Sequence, residues 1–171
     1  MERDAPEIRF SPVDPSTPPG SDLIEAMVAE MRELYGIVGH VGVPLDLPEL
    51  APPGGVYLVG RAGPEAGPEG VPGGVPDGVI VAGGGLRTIA EGIGEIKRMY
   101  VVPAWRGRGA GARLLAALEA AALGLGLATV RLDTGPDQPG ARHLYEKSGY
   151  RSIPDYNGNE RAAFWGEKRL A

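Results

Sequence analysis

A glycine- and arginine-rich turn in the second half of the chain has the residue types most suited to chemistry. The stretch Glu95–Leu115 reads EIKRMYVVPAWRGRGAGARLL, in which a predicted strand ends near Pro103 and a predicted helix begins at Gly109. Glycines let a ligand approach the backbone, and the first N–H groups of a helix have no partner within the helix. The helix dipole and two arginines, Arg106 and Arg108, add positive charge. The turn therefore predicts an anion site suited to phosphate groups.

Three phosphate-binding patterns can be compared with this turn. A P-loop ends in Gly-Lys-Ser/Thr, and neither lysine nor a hydroxyl residue directly follows Gly111. A dinucleotide-binding oxidoreductase would carry G-x-G-x-x-G, whereas the glycines here are spaced G-x-G-x-G. The third pattern is (Arg/Gln)-x-x-Gly-x-(Gly/Ala), the pyrophosphate turn of N-acetyltransferases that use acetyl-CoA. Arg106, Gly109 and Gly111 match it without a gap.

A second segment, Leu132–Ile153, carries a compatible pattern. It reads LDTGPDQPGARHLYEKSGYRSI, a predicted strand, turn and helix with the frame A-x-x-L-Y-x-x-x-G-Y at Ala141, Leu144, Tyr145, Gly149 and Tyr150. Together the two segments resemble the GNAT superfamily of N-acetyltransferases, and its bacterial members in particular. The resemblance covers about residues 79–170, whereas the first 78 residues agree with it only in the order of their elements.

Strands and helices are predicted to alternate along the chain. Strands are expected at Glu7–Phe10, Val56–Val59, Val79–Ala82, Gly94–Val102, Thr129–Asp133, Tyr150–Ile153 and Ala162–Leu170. Helices are expected from an N-cap at Ser21 or Asp22 to Tyr35, over Gly109–Leu123 and over Gln138–Lys147. This order predicts one α/β domain over residues 1–171 with a central mixed sheet. The resemblance implies that the sheet is twisted, mostly antiparallel, flanked by helices and splayed between its fourth and fifth strands.

Apolar spacing indicates which helix faces meet the sheet. In the first helix the stripe consists of Leu23, Met27, Met31 and Leu34, and in the second of Leu114, Leu118 and Ala121 or Ala122. Between Ala62 and Gly78 ten of 17 residues are glycine or proline, which neither a helix nor a strand accommodates. Residues 62–78 are therefore predicted to form a flexible surface loop that connects a long hairpin.

The composition excludes several classes of protein. A length of 171 residues fits one domain, and the absence of cysteine excludes disulfides, thiolate metal sites and a cysteine nucleophile. No apolar run approaches the roughly 20 residues that span a bilayer, so a cytoplasmic protein with no membrane partner is expected. A net charge of −5 argues against a nucleic-acid partner. His40 and His143 have no acidic partner at ligand spacing, so no metal site is predicted.

The resemblance implies that acetyl-CoA is the co-substrate. Its pantetheine arm would lie along the fourth strand at Met99, Tyr100 and Val101, where a bulge would free N–H groups to polarise the thioester carbonyl. The residues implied to hold the pyrophosphate are Arg106, Gly107, Arg108, Gly109, Ala110, Gly111 and Ala112. Gln138 matches a position that contacts the cofactor.

Two side chains match the family's proton-transfer positions. Tyr145 matches the general acid, because a phenol near the leaving sulfur can protonate the CoA thiolate. Glu95 matches the base that deprotonates the amine, directly or through water. The alternatives are that Tyr145 is a packed core tyrosine and that Glu95 is a solvated carboxylate at a strand edge.

The acceptor is expected to be a primary amine on a small molecule or a peptide, attacked directly in a ternary complex. Candidate acceptor contacts are Tyr35, Asp155, Tyr156 and Asn157, and Asp155 or Glu160 could attract a cationic amine. The alternative is that these are turn residues, which is also the interpretation of Asp133 and Asp137. Trp105 and Trp165 are expected to pack rather than to stack on a ligand. A homodimer through the C-terminal strands is implied only by the resemblance to the family.

The main alternative function is a non-catalytic module that binds acyl-CoA or a partner on the same fold. Such a module would keep the phosphate turn without the proton-transfer residues. The presence of both Tyr145 and Glu95 favours the enzyme.

Overall fold

The computed structural model describes residues 7–39, 47–63 and 78–171. The strands are β1 (Ile8–Val13), β2 (Gly55–Ala62), β3 (Val79–Ala90), β4 (Ile93–Val101), β5 (Thr129–Thr134), β6 (Arg151–Ser152) and β7 (Phe164–Arg169). The α-helices are α1 (Gly20–Tyr35), α2 (Ala110–Gly124) and α3 (Pro139–Lys147). Short 3-10 turns occupy Leu47–Leu50 and Pro103–Trp105. The order of strands and α-helices is the one that the sequence predicts.

All seven strands form one sheet in the order β1-β2-β3-β4-β5-β7-β6. Every neighbouring pair is antiparallel except β4 and β5, which run parallel. These two strands pair only from Ile93 opposite Thr129 to Glu95 opposite Arg131, although both continue beyond that point. The expected mixed sheet with a splay between its fourth and fifth strands is confirmed.

The predicted hairpin is formed by β2 and β3, with Ala62 opposite Val79. Residues 64–77 of the predicted flexible loop lie outside the described residues. The prediction ended β3 at Ala82, whereas the strand continues through Gly83, Gly84 and Gly85 to Ala90. A Cβ at Gly83 would lie 2.7 Å from a side-chain atom of Leu23, and one at Gly85 would lie 2.7 Å from Leu50. Close packing therefore explains why glycines occupy the middle of a strand.

The start of α1 was predicted wrongly. The helix begins at Gly20 after Pro19, without a side-chain cap, and neither Ser21 nor Asp22 is the N-cap. The preceding turn supplies backbone acceptors instead, because the Ser21 N–H donates to the Thr17 carbonyl at 3.0 Å. Packing also requires the glycine, since a Cβ at Gly20 would lie 2.7 Å from the Asp14 carbonyl oxygen.

The core lies on both faces of the sheet. On one face Leu114, Leu118 and Ala122 of α2 are fully buried, as predicted, and Trp105 packs into the same cluster. On the other face Leu23 of α1 packs with Leu50, Tyr57 and Val59. Leu34, predicted to complete the α1 stripe, is 46% exposed. Within the described residues no helix is both long and apolar enough to cross a membrane.

Candidate active site

A cavity of about 650 Å³ lies where β4 and β5 separate. Its walls come from α1, from β4 and the turn that follows it, from the end of β5 and from α3. The predicted residues among its lining are Tyr35, Met99, Tyr100, Val101, Arg106, Gly107, Gly109, Ala110, Gly111, Gln138 and Tyr145. Tertiary folding thus brings both sequence segments to one cavity. Arg108, Ala112, Glu95, Asp155, Tyr156 and Asn157 are not part of that lining.

The turn between β4 and α2 has the backbone that an anion site requires. Gly107 and Gly109 adopt φ angles of 72° and 77°, in the left-handed region, and a Cβ at either residue would meet no atom within 4 Å. Gly109 precedes the first residue of α2 and has no side-chain cap to bond the first N–H groups of the helix. The open turn therefore presents backbone donors at a helix N-terminus.

The two arginines of this turn are held by the protein. The Arg106 Nε donates to the Val101 carbonyl at 2.9 Å, and its guanidinium pairs with Glu30 of α1 at 2.7 Å. The Arg108 guanidinium lies 5.4 Å from the centre of the Trp105 ring and is exposed. Arg106 therefore ties the turn to β4 and α1, whereas the Arg108 side chain lies outside the cavity lining.

β4 contains the expected bulge. Lys97 lies opposite Gly85 and Tyr100 lies opposite Gly83, so Arg98 and Met99 face the single residue Gly84. Arg98 has a φ of 58°. Among the described residues, no other residue except glycine has a positive φ. A bulge breaks the ladder and redirects side chains. Here the bulge interrupts the regular pairing of β4 with β3, next to the gap between β4 and β5.

Tyr145 reaches this bulge from α3. Its hydroxyl lies 3.8 Å from the Met99 sulfur, and the residue is only 7% exposed. Burial, aided by the negative charge of Asp133, raises the pKa of the Tyr145 phenol above its ordinary value. The hydroxyl therefore keeps its proton at neutral pH. The arrangement suits a proton donor at the cavity wall.

Glu95 is buried and fully engaged. Its Oε1 accepts from the Arg87 Nε at 3.0 Å, and its Oε2 accepts from the Tyr156 hydroxyl at 2.6 Å and from the Asn157 amide at 3.2 Å. Lys97 Nζ lies 3.6 Å from the same Oε2. The carboxylate is therefore not the solvated edge group that the sequence left open, and its oxygens are already occupied by donors of the protein.

The candidate acceptor residues separate into two groups. Tyr35 lines the cavity, where its hydroxyl lies against Gly135. Asp155 is exposed and accepts from the Asn157 and Gly158 N–H groups at 3.0 and 2.7 Å, so it serves as a turn residue. Tyr156 and Asn157 bind Glu95 instead of facing the cavity.

Asp133 does not have the turn role that the sequence suggested. It lies in β5, lines the cavity and pairs with Lys97 of β4 at 3.1 Å. Gln138 is the N-cap residue of α3, where its amide oxygen accepts from Thr134 at 2.7 Å. His143 is exposed, and His40 lies outside the described residues. Across 7–39, 47–63 and 78–171, no group of three or more His, Cys, Asp or Glu side chains could hold a metal ion.

Sequence reasoning missed several cations of the cavity wall, among them Arg87, Lys97 and Arg98. A usable signal was present in the stretch IKRMY, where two adjacent cations interrupt the alternation of a buried strand. Such a break is typical of a bulge. Arg87 gave no such signal, because its place in the cavity depends on pairing opposite Glu95 across the sheet.

The comparisons agree with this geometry. Residues 58–150 match the Acetyltransferase (GNAT) family. An IAA acetyltransferase from Azospirillum brasilense is 34% identical over 130 residues, which are 75% of this chain and 74% of that protein. A Klebsiella pneumoniae structure assigned to the acyl-CoA N-acyltransferases is 30% identical, with a TM-score of 0.73 over 96% of this chain and 98% of its own.

A GNAT acetyltransferase from Elizabethkingia anophelis with acetyl-CoA bound shares the fold at 19% identity, with a TM-score of 0.64 over 98% of this chain and 100% of its own. The family match spans more than half of the sequence. The chain therefore belongs to the GNAT family of acetyltransferases, and it is an N-acetyltransferase. This membership favours the enzyme over the non-catalytic module.

Proposed function

We propose that the protein transfers the acetyl group of acetyl-CoA to a primary amine of a small molecule or a peptide, by direct attack within a ternary complex. The observation that carries the proposal is the position of the Tyr145 hydroxyl at the β4 bulge, in the same cavity as the glycine turn that opens α2. A proton donor and an anion site are thus joined by one continuous space.

The residues present fit acetyl-CoA. The open backbone at Gly107 and Gly109 suits a pyrophosphate, because any side chain there would be strained and would cover the helix N-terminus. The unpaired stretch of β4 beyond Glu95 offers backbone groups on the side facing β5 to a pantetheine arm. Gln138 and Tyr145 would close the other side of that channel from α3.

The reaction balances with the groups at hand. Acetyl-CoA supplies an acetyl group activated as a thioester. The neutral amine nitrogen attacks the carbonyl carbon, a C–N bond forms and the C–S bond breaks. The Tyr145 Oη proton passes to the departing sulfur. The amine releases a proton to water, and water returns a proton to the Tyr145 phenolate.

Glu95 fits a positioning role better than direct deprotonation of the amine. Both of its oxygens accept hydrogen bonds, and it forms ion pairs with Arg87 and Lys97. A general base must reach the proton that it removes, directly or through one water. In this proposal Glu95 orients Arg87 and Lys97 at the cavity wall, and the amine proton leaves through water.

The test begins with a calorimetric titration of the protein with acetyl-CoA, with NAD and ATP as controls. We expect micromolar binding of acetyl-CoA alone, followed by release of free thiol when a suitable amine is added. Absence of acetyl-CoA binding would overturn the proposal. Binding without thiol release for any amine of a broad panel would favour the acyl-CoA-binding module instead.

A further inference from the structure

Arg98 lines the cavity wall. Its Nε is buried and makes no hydrogen bond, and within the described ranges no carboxylate lies within the 4 Å of an ion pair. The neighbouring cations differ, because Arg87 pairs with Glu49 and Glu95 while Lys97 pairs with Glu95 and Asp133. Arg98 is therefore the cation of the bulge whose donors are left for a ligand.

The placement of Arg98 is energetically unfavourable without a ligand. The Arg98 backbone lies in the left-handed region, where a non-glycine residue is strained. Burial lowers the pKa of the Arg98 guanidinium, since the charged form is removed from water, while the charge of Asp133 partly opposes the effect. The Tyr57 hydroxyl is also buried without a hydrogen bond, but Tyr57 belongs to the core and does not line the cavity. An unsatisfied guanidinium donor at the cavity wall points to an anion or an acceptor atom that the described residues do not supply.

The position of Arg98 assigns this ligand to the acceptor rather than to the phosphates. Arg98 precedes Met99, which contacts the proton donor Tyr145, whereas the phosphate turn begins beyond Val101. Along a strand the three residues from Arg98 to Val101 correspond to roughly 10 Å.

We propose that the acceptor of this enzyme is an amine that also carries a carboxylate, which the Arg98 guanidinium binds. This inference rests on the proposed acetyl transfer and names its substrate class. A guanidinium matches a carboxylate in a two-bond geometry. Asp133 lines the same cavity, and its carboxylate would attract the amino group of such an acceptor. It also disfavours a phosphate dianion.

The test compares matched acceptors. Each α-amino acid or ω-amino acid is paired with its carboxamide and, where one exists, with the aminophosphonate of the same length, and CoA release is measured at saturating acetyl-CoA. We expect kcat/KM to favour the carboxylate over the carboxamide by about 10- to 100-fold, the range for a charge-assisted hydrogen bond. Calorimetry of the same compounds against the CoA-saturated protein gives a readout independent of turnover.

Two variants and a control connect the preference to Arg98. Arg98→Asn removes the charge and keeps a residue that tolerates positive φ, and Arg98→Lys keeps the charge. Arg151→Gln, at an exposed arginine of β6, is the control. We expect Arg98→Asn to abolish the carboxylate preference through KM, Arg98→Lys to retain part of it, and acetyl-CoA affinity to stay within about twofold in all three.

Several outcomes would overturn the inference. Carboxamides used as well as carboxylates, a preference retained in Arg98→Asn, or a better aminophosphonate would each contradict it, as would a panel in which no carboxylate binds the CoA-saturated protein. Loss of acetyl-CoA affinity in Arg98→Asn would assign Arg98 to the co-substrate. Failure of the wild-type protein to bind acetyl-CoA is a separate result, because it contradicts the proposed function itself.

Discussion

The Tyr145 hydroxyl lies 3.8 Å from the Met99 sulfur, so α3 and the bulge of β4 meet across the gap in the sheet. This contact places a buried phenol beside the strand residue where the regular ladder is broken. Because the phenol's pKa is raised by burial, Tyr145 carries its proton at neutral pH. The reacting centre is therefore expected at this contact.

Replacing Tyr145 with phenylalanine tests that expectation. Removing the hydroxyl should lower kcat by about 100-fold, because general-acid catalysis contributes roughly that much, while acetyl-CoA affinity is unchanged. Assays of thiol release measure kcat, and calorimetry measures the affinity for acetyl-CoA. Tyr150→Phe is the matched control, since Tyr150 is also buried but bonds Glu119 and does not line the cavity. Equal turnover in the two variants would make Tyr145 a packing residue.

Replacing Gly109 with valine should weaken acetyl-CoA binding by at least about 100-fold. A β-branched residue resists a φ of 77°, and its side chain would cover the N-terminus of α2. Gly126→Val is the control, because Gly126 has a φ of 78° and equally open surroundings near the other end of α2. Both variants should lose similar stability in thermal melting. Similar acetyl-CoA affinity in both would mean that the turn does not bind the phosphates.

Replacing Glu95 with glutamine should destabilise the fold by about 1–3 kcal/mol, because the half-buried Arg87 and Lys97 lose one carboxylate and keep only Glu49 and Asp133. Urea denaturation measures the change. If Glu95 positions its neighbours, the variant should keep the acid limb of the kcat/KM pH profile and lose activity mainly through KM. A loss of that limb, with KM unchanged, would instead identify Glu95 as the base.

The raised pKa values of four tyrosines predict how the free energy of unfolding changes at alkaline pH. Burial raises the pKa of Tyr57, Tyr145, Tyr150 and Tyr156 in the folded state. Their contribution is fully present below the unfolded pKa of about 10, and it is lost as the pH rises beyond that value, since only the unfolded chain then ionises. The free energy of unfolding, measured in urea from pH 8 to 11, should therefore fall above pH 10.

Tyr150→Phe provides the comparison for this alkaline effect. It should reduce the slope of the unfolding free energy by up to about 1.4 kcal/mol per pH unit. The same slope in the variant and the wild type would show that Tyr150 does not contribute. A free energy that stays constant to pH 11 would contradict the raised pKa values altogether.

Local sequence was sufficient for most of the fold because its signals are local in origin. The alternation of strands and helices, the leucines of α2 and the turn Arg106–Gly111 depend on side-chain spacing and on glycine's backbone freedom. Where the prediction was wrong, a distant contact was responsible. β3 was predicted to end before Gly83, yet Tyr57 and Leu23 fill the space that side chains there would occupy.

The sequence by itself determined the family motifs, the order of the elements and the glycine turn, because each is written in neighbouring residues. Only the tertiary structure decided which charged side chains of the site pair with one another. Glu95 is occupied by Arg87 and Tyr156, eight positions before it and 61 after it, whereas the Arg98 Nε makes no hydrogen bond with any described residue. Ion pairing depends on which side chains the sheet brings within a few ångströms, and strand register sets this across long separations.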